Sequence, residues 1–122
     1  MAEIEKLVII STVGPENSEK ATLPFVLATA AQSMDVEVVV ILQASSVLLA
    51  KNGEAENVNA KGLMPLKKLL DTFIELEGTL MLCSPCVKER GISVDDLIQG
   101  SQLIAAGTVV SEVLSATSVV TY

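Results

Sequence analysis

Histidine and tryptophan are absent from the 122-residue chain, and the aromatic side chains are Phe25, Phe73 and Tyr122 alone. Without imidazole, one chain cannot assemble a Ser–His–Asp or Cys–His pair, nor an imidazole metal site. Two cysteines, Cys83 and Cys86, supply only half of a tetrahedral thiolate zinc site, so neither a metal nor an organic cofactor is expected. Basic residues are also few: 8 Lys and Arg against 15 Asp and Glu leave a net charge of −7. A phosphate backbone demands clustered cations, and single strands demand stacking aromatics, so nucleic acid is excluded as a partner. The strongest apolar run, Val38 to Leu42, has the length of a strand and falls far short of the ~20 residues that span a bilayer. No membrane partner is expected either. The opening Met1-Ala2-Glu3-Ile4-Glu5-Lys6 is acidic, unlike a secretory signal, which points to a cytoplasmic location. In a reducing compartment, two neighbouring cysteines read as reactive and not as a structural staple.

What is present is apolar: 50% of the residues are hydrophobic, enough for a core in a single domain spanning 1–122. The pattern alternates strand-like with helix-like pieces. Strands are predicted at Lys6–Ser11, Val36–Gln43, Thr79–Cys83, Leu103–Ala106 and Ser118–Tyr122. Helices are predicted from an Ser18 cap to Ser33, over Ser45–Ala50, from Pro65 to a stop at Gly78, over Cys86–Arg90, from Ser93 to near Gly100, and from a Thr108 cap to Ala116. Lys51–Gly62, polar and rich in Asn and Gly, reads as a mobile loop, with a lid, a subunit contact and a plain solvent-facing connection as its alternatives. Strands alternating with helices imply parallel pairing, hence an α/β fold: a three-layer α/β/α sandwich around a five-stranded parallel sheet. Val47, Leu48, Leu49, Leu63 and Met64 exceed what so small a domain is expected to bury, which predicts a self-association surface. Met34, Met64 and Met81 are assigned to core or interface.

In open parallel sheets, chemistry gathers beyond the carboxyl ends of the strands. Thr12–Asn17, Lys51–Gly62 and Cys83-Ser84-Pro85-Cys86 are therefore placed on one rim. The loop around Gly14 could cradle a phosphate, but it lacks both the Walker ending and a Gly-x-Gly-x-x-Gly, so it reads as an ordinary capped loop. The cysteine pair carries more. Cys83 closes a strand and Cys86 sits near a helix start, where free N–H groups favour a thiolate and lower its pKa, with Lys88 and Arg90 adding to the effect and Glu89 opposing it. A thioredoxin-type oxidoreductase shares the Cys-x-x-Cys form, but the motif lies too late in the chain and no proline follows it.

Cys83-Ser84-Pro85-Cys86-Val87-Lys88-Glu89-Arg90-Gly91-Ile92 resembles the cysteine signature of the DsrE/DsrF-like (DsrEFH) sulfur-relay proteins, in the small single-domain branch with a second Cys three residues after the first. Gly14-Pro15-Glu16, Leu66–Leu70, Asp96–Gly100 and the closing strand extend the similarity over nearly the whole chain. The resemblance implies a five-stranded parallel sheet, assembly into trimers or hexamers, and sulfurtransferase-like relay of sulfane sulfur, received from a donor thiol and passed to an acceptor protein thiol. It further implies that Cys83 holds the persulfide with Cys86 assisting, and that Arg90 and Gly91 complete the motif, supported by Ser84 and Gly14. Such exchange needs thiolates but no general base, consistent with the missing histidine. Two other readings remain: a thiol redox switch through a Cys83–Cys86 disulfide, and a non-catalytic oligomeric interaction or small-ligand module.

Overall fold

The computed structural model describes residues 4–122, so the first half of the acidic opening segment, Met1 to Glu3, lies outside the described residues. Five parallel strands, β1 (Lys6–Ser11), β2 (Glu37–Leu42), β3 (Thr79–Cys83), β4 (Ser101–Ile104) and β5 (Ser118–Thr121), pair in the order β4-β3-β2-β1-β5. The β-branched strands β1 and β2 occupy the middle, as continuous apolar runs covered on both faces should. The chain steps from β1 outward to β4 and then returns to the far edge for β5. A right-handed crossover therefore changes face on that return. The helices α1 (Ser18–Ser33), α2 (Leu66–Glu75) and α3 (Ser84–Glu89) lie on the outward path, and α4 (Ala106–Ser115) lies on the return. The three-layer α/β/α sandwich is the observed architecture.

The strand alternation sorts the core. Ile9, Val38, Val40, Leu42, Leu80 and Leu82 pack against Phe25, Ala28, Leu66, Leu69, Leu70 and Phe73 of α1 and α2. On the other face, Val8, Val39, Ile41, Met81 and Ile104 meet Val109 and Ala116. That second layer is thin: no residue of α4 is fully buried. Lys6 ties α4 to the sheet through Glu112 at 3.0 Å and Ser115 at 2.8 Å. Met81 is in the core, whereas Met34 is 75% and Met64 is 47% exposed.

Several local expectations are corrected. Asn17, not Ser18, caps α1, its side chain accepting from the Lys20 N–H at 3.0 Å. Ala105, not Thr108, precedes α4. The predicted Leu103–Ala106 strand is shifted back to Ser101–Ile104, because an edge strand is half-solvated and accommodates polar Ser101 and Gln102. The short helix after β2 is a 3-10 segment, Ala44–Ala50, and it buries Val47 and Leu49 in the main core. Val47 and Leu49 are thus withdrawn from any surface, while Leu48 and Leu63 are half-buried and Met64 is exposed.

The Lys51–Gly62 loop is pinned. Ala55 and Val58 are buried, the Asn52 N–H reaches Asp96 at 2.8 Å, the Ile98 N–H reaches Ala50 at 2.8 Å, and the Leu66 N–H reaches Val58 at 3.1 Å. These bonds join the loop to the segment leading into β4 and to the start of α2. There it lines a cavity of about 360 Å³ that includes none of the cysteine-bearing rim.

Three helices end alike. After α1, α2 and α3, the residues Asp35, Glu77 and Gly91 turn left-handed with φ of 63°, 67° and 64°. In each, the next N–H bonds back five residues: Val36 to Ala31, Gly78 to Phe73, Ile92 to Val87. Gly78 is thus not the conformational stop of α2; Glu77 is. A left-handed turn costs a residue with a Cβ ~1–2 kcal/mol. Glu77→Gly should stabilise the fold by up to about 1 kcal/mol and Gly91→Ala should destabilise it by a similar amount, both readable as shifted urea midpoints.

Candidate functional site

Four loops converge at the carboxyl end of the sheet: those after β1, β2, β3 and β4. The apolar run Leu80–Leu82 buries β3 up to the penultimate residue, and the strand releases its last residue, Cys83, half-exposed at the rim. Cys83 is also the residue preceding α3, in extended conformation (φ −61°, ψ 115°). Ser84 is the first helical residue, Pro85 follows where its missing N–H costs nothing, and Cys86 lies one further on. Buried Val87 and Ile92 anchor this short helix against the core. The tight strand-to-helix turn aims both thiols at each other: Cys83 Sγ and Cys86 Sγ are 2.9 Å apart, neither in a disulfide.

Cys86 has a second neighbour. The Ala44 N–H donates to Cys86 Sγ at 3.2 Å from the loop after β2. Ala44 is held left-handed at φ 52°, an unfavourable setting for a side chain with a Cβ. A network across the first two loops holds it there. Ser45 Oγ accepts from the Gly14 N–H at 3.1 Å and donates to a Glu16 carboxylate oxygen at 2.5 Å. Gly14 has no space for a side chain, since a Cβ would collide with the Ser45 carbonyl. Its N–H is spent inside this network, and what the structure shows for it is close packing against Ser45. Ser46 adds bonds to the Ser11 and Gln43 carbonyls at 2.7 and 2.6 Å.

The electrostatics differ from the sequence expectation in one respect. Burial and the adjacent Cys86 thiol push the Cys83 thiol up from its ordinary value, and the Cys86 backbone N–H and the Arg90 charge only partly counter this. Arg90 is exposed at the end of α3, its Nη1 donating to the Cys86 carbonyl at 3.2 Å. Gly91 terminates α3, as the motif implies.

Glu16 was not singled out as a site residue. Its bond from Ser45 holds the carboxyl below the usual carboxylate range, backbone N–H groups and Arg90 assisting against a small desolvation cost. A carboxyl with a depressed value in the fold contributes stability above its unfolded value and loses it as pH falls through the folded one. Glu16 is exposed, so the contribution is well under ~1 kcal/mol. Glu16→Gln should thus lower the urea midpoint slightly at about pH 7, and wild type and variant should converge below about pH 3.

Among the described residues no cluster of three or more Cys, Asp or Glu forms a metal-binding constellation, and no helix is long and apolar enough to cross a membrane. The site is therefore a thiol pair with a backbone donor, a carboxylate–hydroxyl brace and one nearby guanidinium. Chemically it can exchange sulfur between thiols or cycle a disulfide.

Residues 5–122 match the DsrE/DsrF-like family. An uncharacterized protein of Methanocaldococcus jannaschii is 30% identical over 117 residues, covering 96% of this chain and 99% of that protein. A second uncharacterized protein of the same organism is 28% identical over 108 residues, which are 88% of this chain but 39% of that longer protein. The crystal structure of the YchN protein superposes with a TM-score of 0.84 at 23% identity, covering 98% of this chain and all of the other, and so shares the fold. That protein is from E. coli.

Proposed function

The chain belongs to the DsrE/DsrF-like family, and on that premise we propose that it relays sulfane sulfur as a persulfide on Cys83, with Cys86 assisting, in a reducing cytoplasmic setting. The observation that carries this reading is the release of Cys83 at the strand end, half-exposed, with a second thiol 2.9 Å away. The Cys83 thiolate attacks the outer sulfur of a donor persulfide, the donor S–S bond breaks, and the donor leaves as thiolate. An acceptor thiolate then attacks the outer sulfur on Cys83, which leaves as thiolate in turn. The Cys86 backbone N–H favours the charged form of Cys83, the thiolate that the attack needs.

Intact-protein mass spectrometry of the reduced protein after brief exposure to inorganic polysulfide tests the reading. One added sulfur, removed by a dithiol, is the expected result. A product lighter by two hydrogens that never passes through a sulfur adduct would favour the second reading, a Cys83–Cys86 redox switch, which the short S···S distance also suits.

The proposal extends to a homo-oligomer, a trimer or hexamer, with α4 as the contact. Val110 and Leu114, four residues apart on one helix face, are 57% and 81% exposed over the thin layer of the sandwich. Light scattering should report a multiple of the 12.8 kDa chain for wild type and a smaller species for Leu114→Asp. An unchanged mass in the variant would remove α4 from the contact.

A further inference from the structure

The pair geometry has a chemical consequence beyond relay. A persulfide on Cys83 would have its inner sulfur, the original Sγ, next to Cys86 Sγ, since these two atoms are 2.9 Å apart. The outer sulfur extends away from that contact. Cys86 is fixed at this distance from two sides. Its own helix is anchored by buried Val87, and the Ala44 N–H bonds its sulfur at 3.2 Å. Ala44 keeps its left-handed backbone under the Gly14–Ser45–Glu16 brace, so a strained loop is maintained at the very point that orients Cys86. Relay through Cys83 alone has no use for this arrangement.

We propose that Cys86 discharges the Cys83 persulfide internally, releasing hydrosulfide and leaving a Cys83–Cys86 disulfide. This rests on the persulfide reading above. The Cys86 thiolate attacks the inner sulfur of Cys83; the Sγ–Sγ bond forms, and the bond from Cys83 Sγ to the outer sulfur breaks. The outer sulfur leaves with that electron pair as hydrosulfide, keeping the persulfide proton, while the Cys86 proton has gone to solvent. The two cysteine sulfurs supply the two electrons that reduce sulfane sulfur to sulfide, so no external oxidant or reductant enters this step. A dithiol reductant, small or protein, then reopens the disulfide. The loaded protein thus has two fates: transfer to an acceptor leaves the pair reduced, and internal discharge leaves it oxidised. An acceptor must reach the outer sulfur before Cys86 acts, which makes the pair a timer on the carried sulfur.

The test is anaerobic. Reduced wild type, Cys86→Ser and Cys83→Ser are exposed briefly to inorganic polysulfide, desalted, and followed over time by intact mass and by assay of free hydrosulfide. In Cys86→Ser the single-sulfur adduct should persist. In wild type it should decay at least ~10-fold faster, as an aligned intramolecular attack does, with one hydrosulfide released per disulfide formed. Equal lifetimes in wild type and Cys86→Ser, both loaded, would overturn the discharge step while leaving the carrier reading intact. An adduct that persists in Cys83→Ser but decays from Cys86→Ser would overturn the assignment of roles. Failure of wild type and both variants to take up sulfur would overturn the carrier reading and this inference together.

Discussion

Cys83→Ser should abolish sulfur loading while the protein keeps its fold. The substitution exchanges Sγ for Oγ at the end of β3, a position that is half-exposed and precedes the first turn of α3. Serine suits that position, because a hydroxyl oxygen accepts the free N–H groups of a helix start better than sulfur does. Stability should therefore move by less than ~1 kcal/mol. The sulfur chemistry should vanish, because an alkoxide is inaccessible near neutrality and cannot take a sulfane sulfur as a thiolate does. In wild type the loading rate should rise with pH across the neutral range. Burial and the Cys86 thiol hold the Cys83 thiol above its ordinary value, so the thiolate fraction is small there and grows about tenfold per pH unit. Mass spectrometry after a fixed polysulfide exposure at several pH values checks both statements. Loading of Cys83→Ser to the wild-type level would remove Cys83 from the mechanism.

The place of Cys83 at a strand end beside a second thiol was legible because two local signals coincide on it. A buried strand pattern ends there, and a second cysteine follows at a spacing that a helical turn closes. The direction of its acidity was not legible. Helix-start reasoning predicts a lowered value, but burial and the adjacent Cys86 thiol raise it, and burial is a tertiary fact that no window of sequence contains. The brace was invisible for the same reason: Gly14 and Glu16 follow β1, whereas Ala44 and Ser45 follow β2, about thirty residues later. Only parallel pairing of those strands, Ser11 beside Leu42, brings their trailing loops together. The one available hint was that Gly14 precedes an acidic residue on the rim. The five-stranded parallel sheet was readable because β1, β2 and β3 are continuous apolar runs. β4 was misplaced by two residues because an edge strand tolerates Ser101 and Gln102, which do not look like a buried strand.

Phe73→Ala is expected to have the largest effect on stability of any single change. Phe73 is fully buried on α2 and meets Phe25 of α1 edge to face, with ring centroids 5.8 Å apart and planes at 79°. With only two phenylalanines in the chain, this contact joins the two helices that cover the main face of the sheet. The backbone is built around the ring: a Cβ on Gly78 would overlap it, so Gly78 contributes the space that Phe73 fills. The Phe73 carbonyl also accepts from the Gly78 N–H and from Gln32 Nε2 of α1, both at 2.9 Å, tying the end of α2 to both neighbours. Truncation to alanine loses apolar burial and the aromatic pair and leaves a cavity, costing about 3–5 kcal/mol, a large part of the ~5–15 kcal/mol that stabilises a domain of this kind. Gly78→Ala should approach the same problem from the other side, expelling the ring instead of deleting it. Urea unfolding at constant slope should show the Phe73→Ala midpoint far below wild type, with Phe25→Ala comparably low. Because both variants delete the same aromatic contact, their double substitution should cost less than the sum of the two single losses. Strict additivity would mean that the two rings fill separate parts of the core, and the helix pair would then owe its stability to the leucines around them.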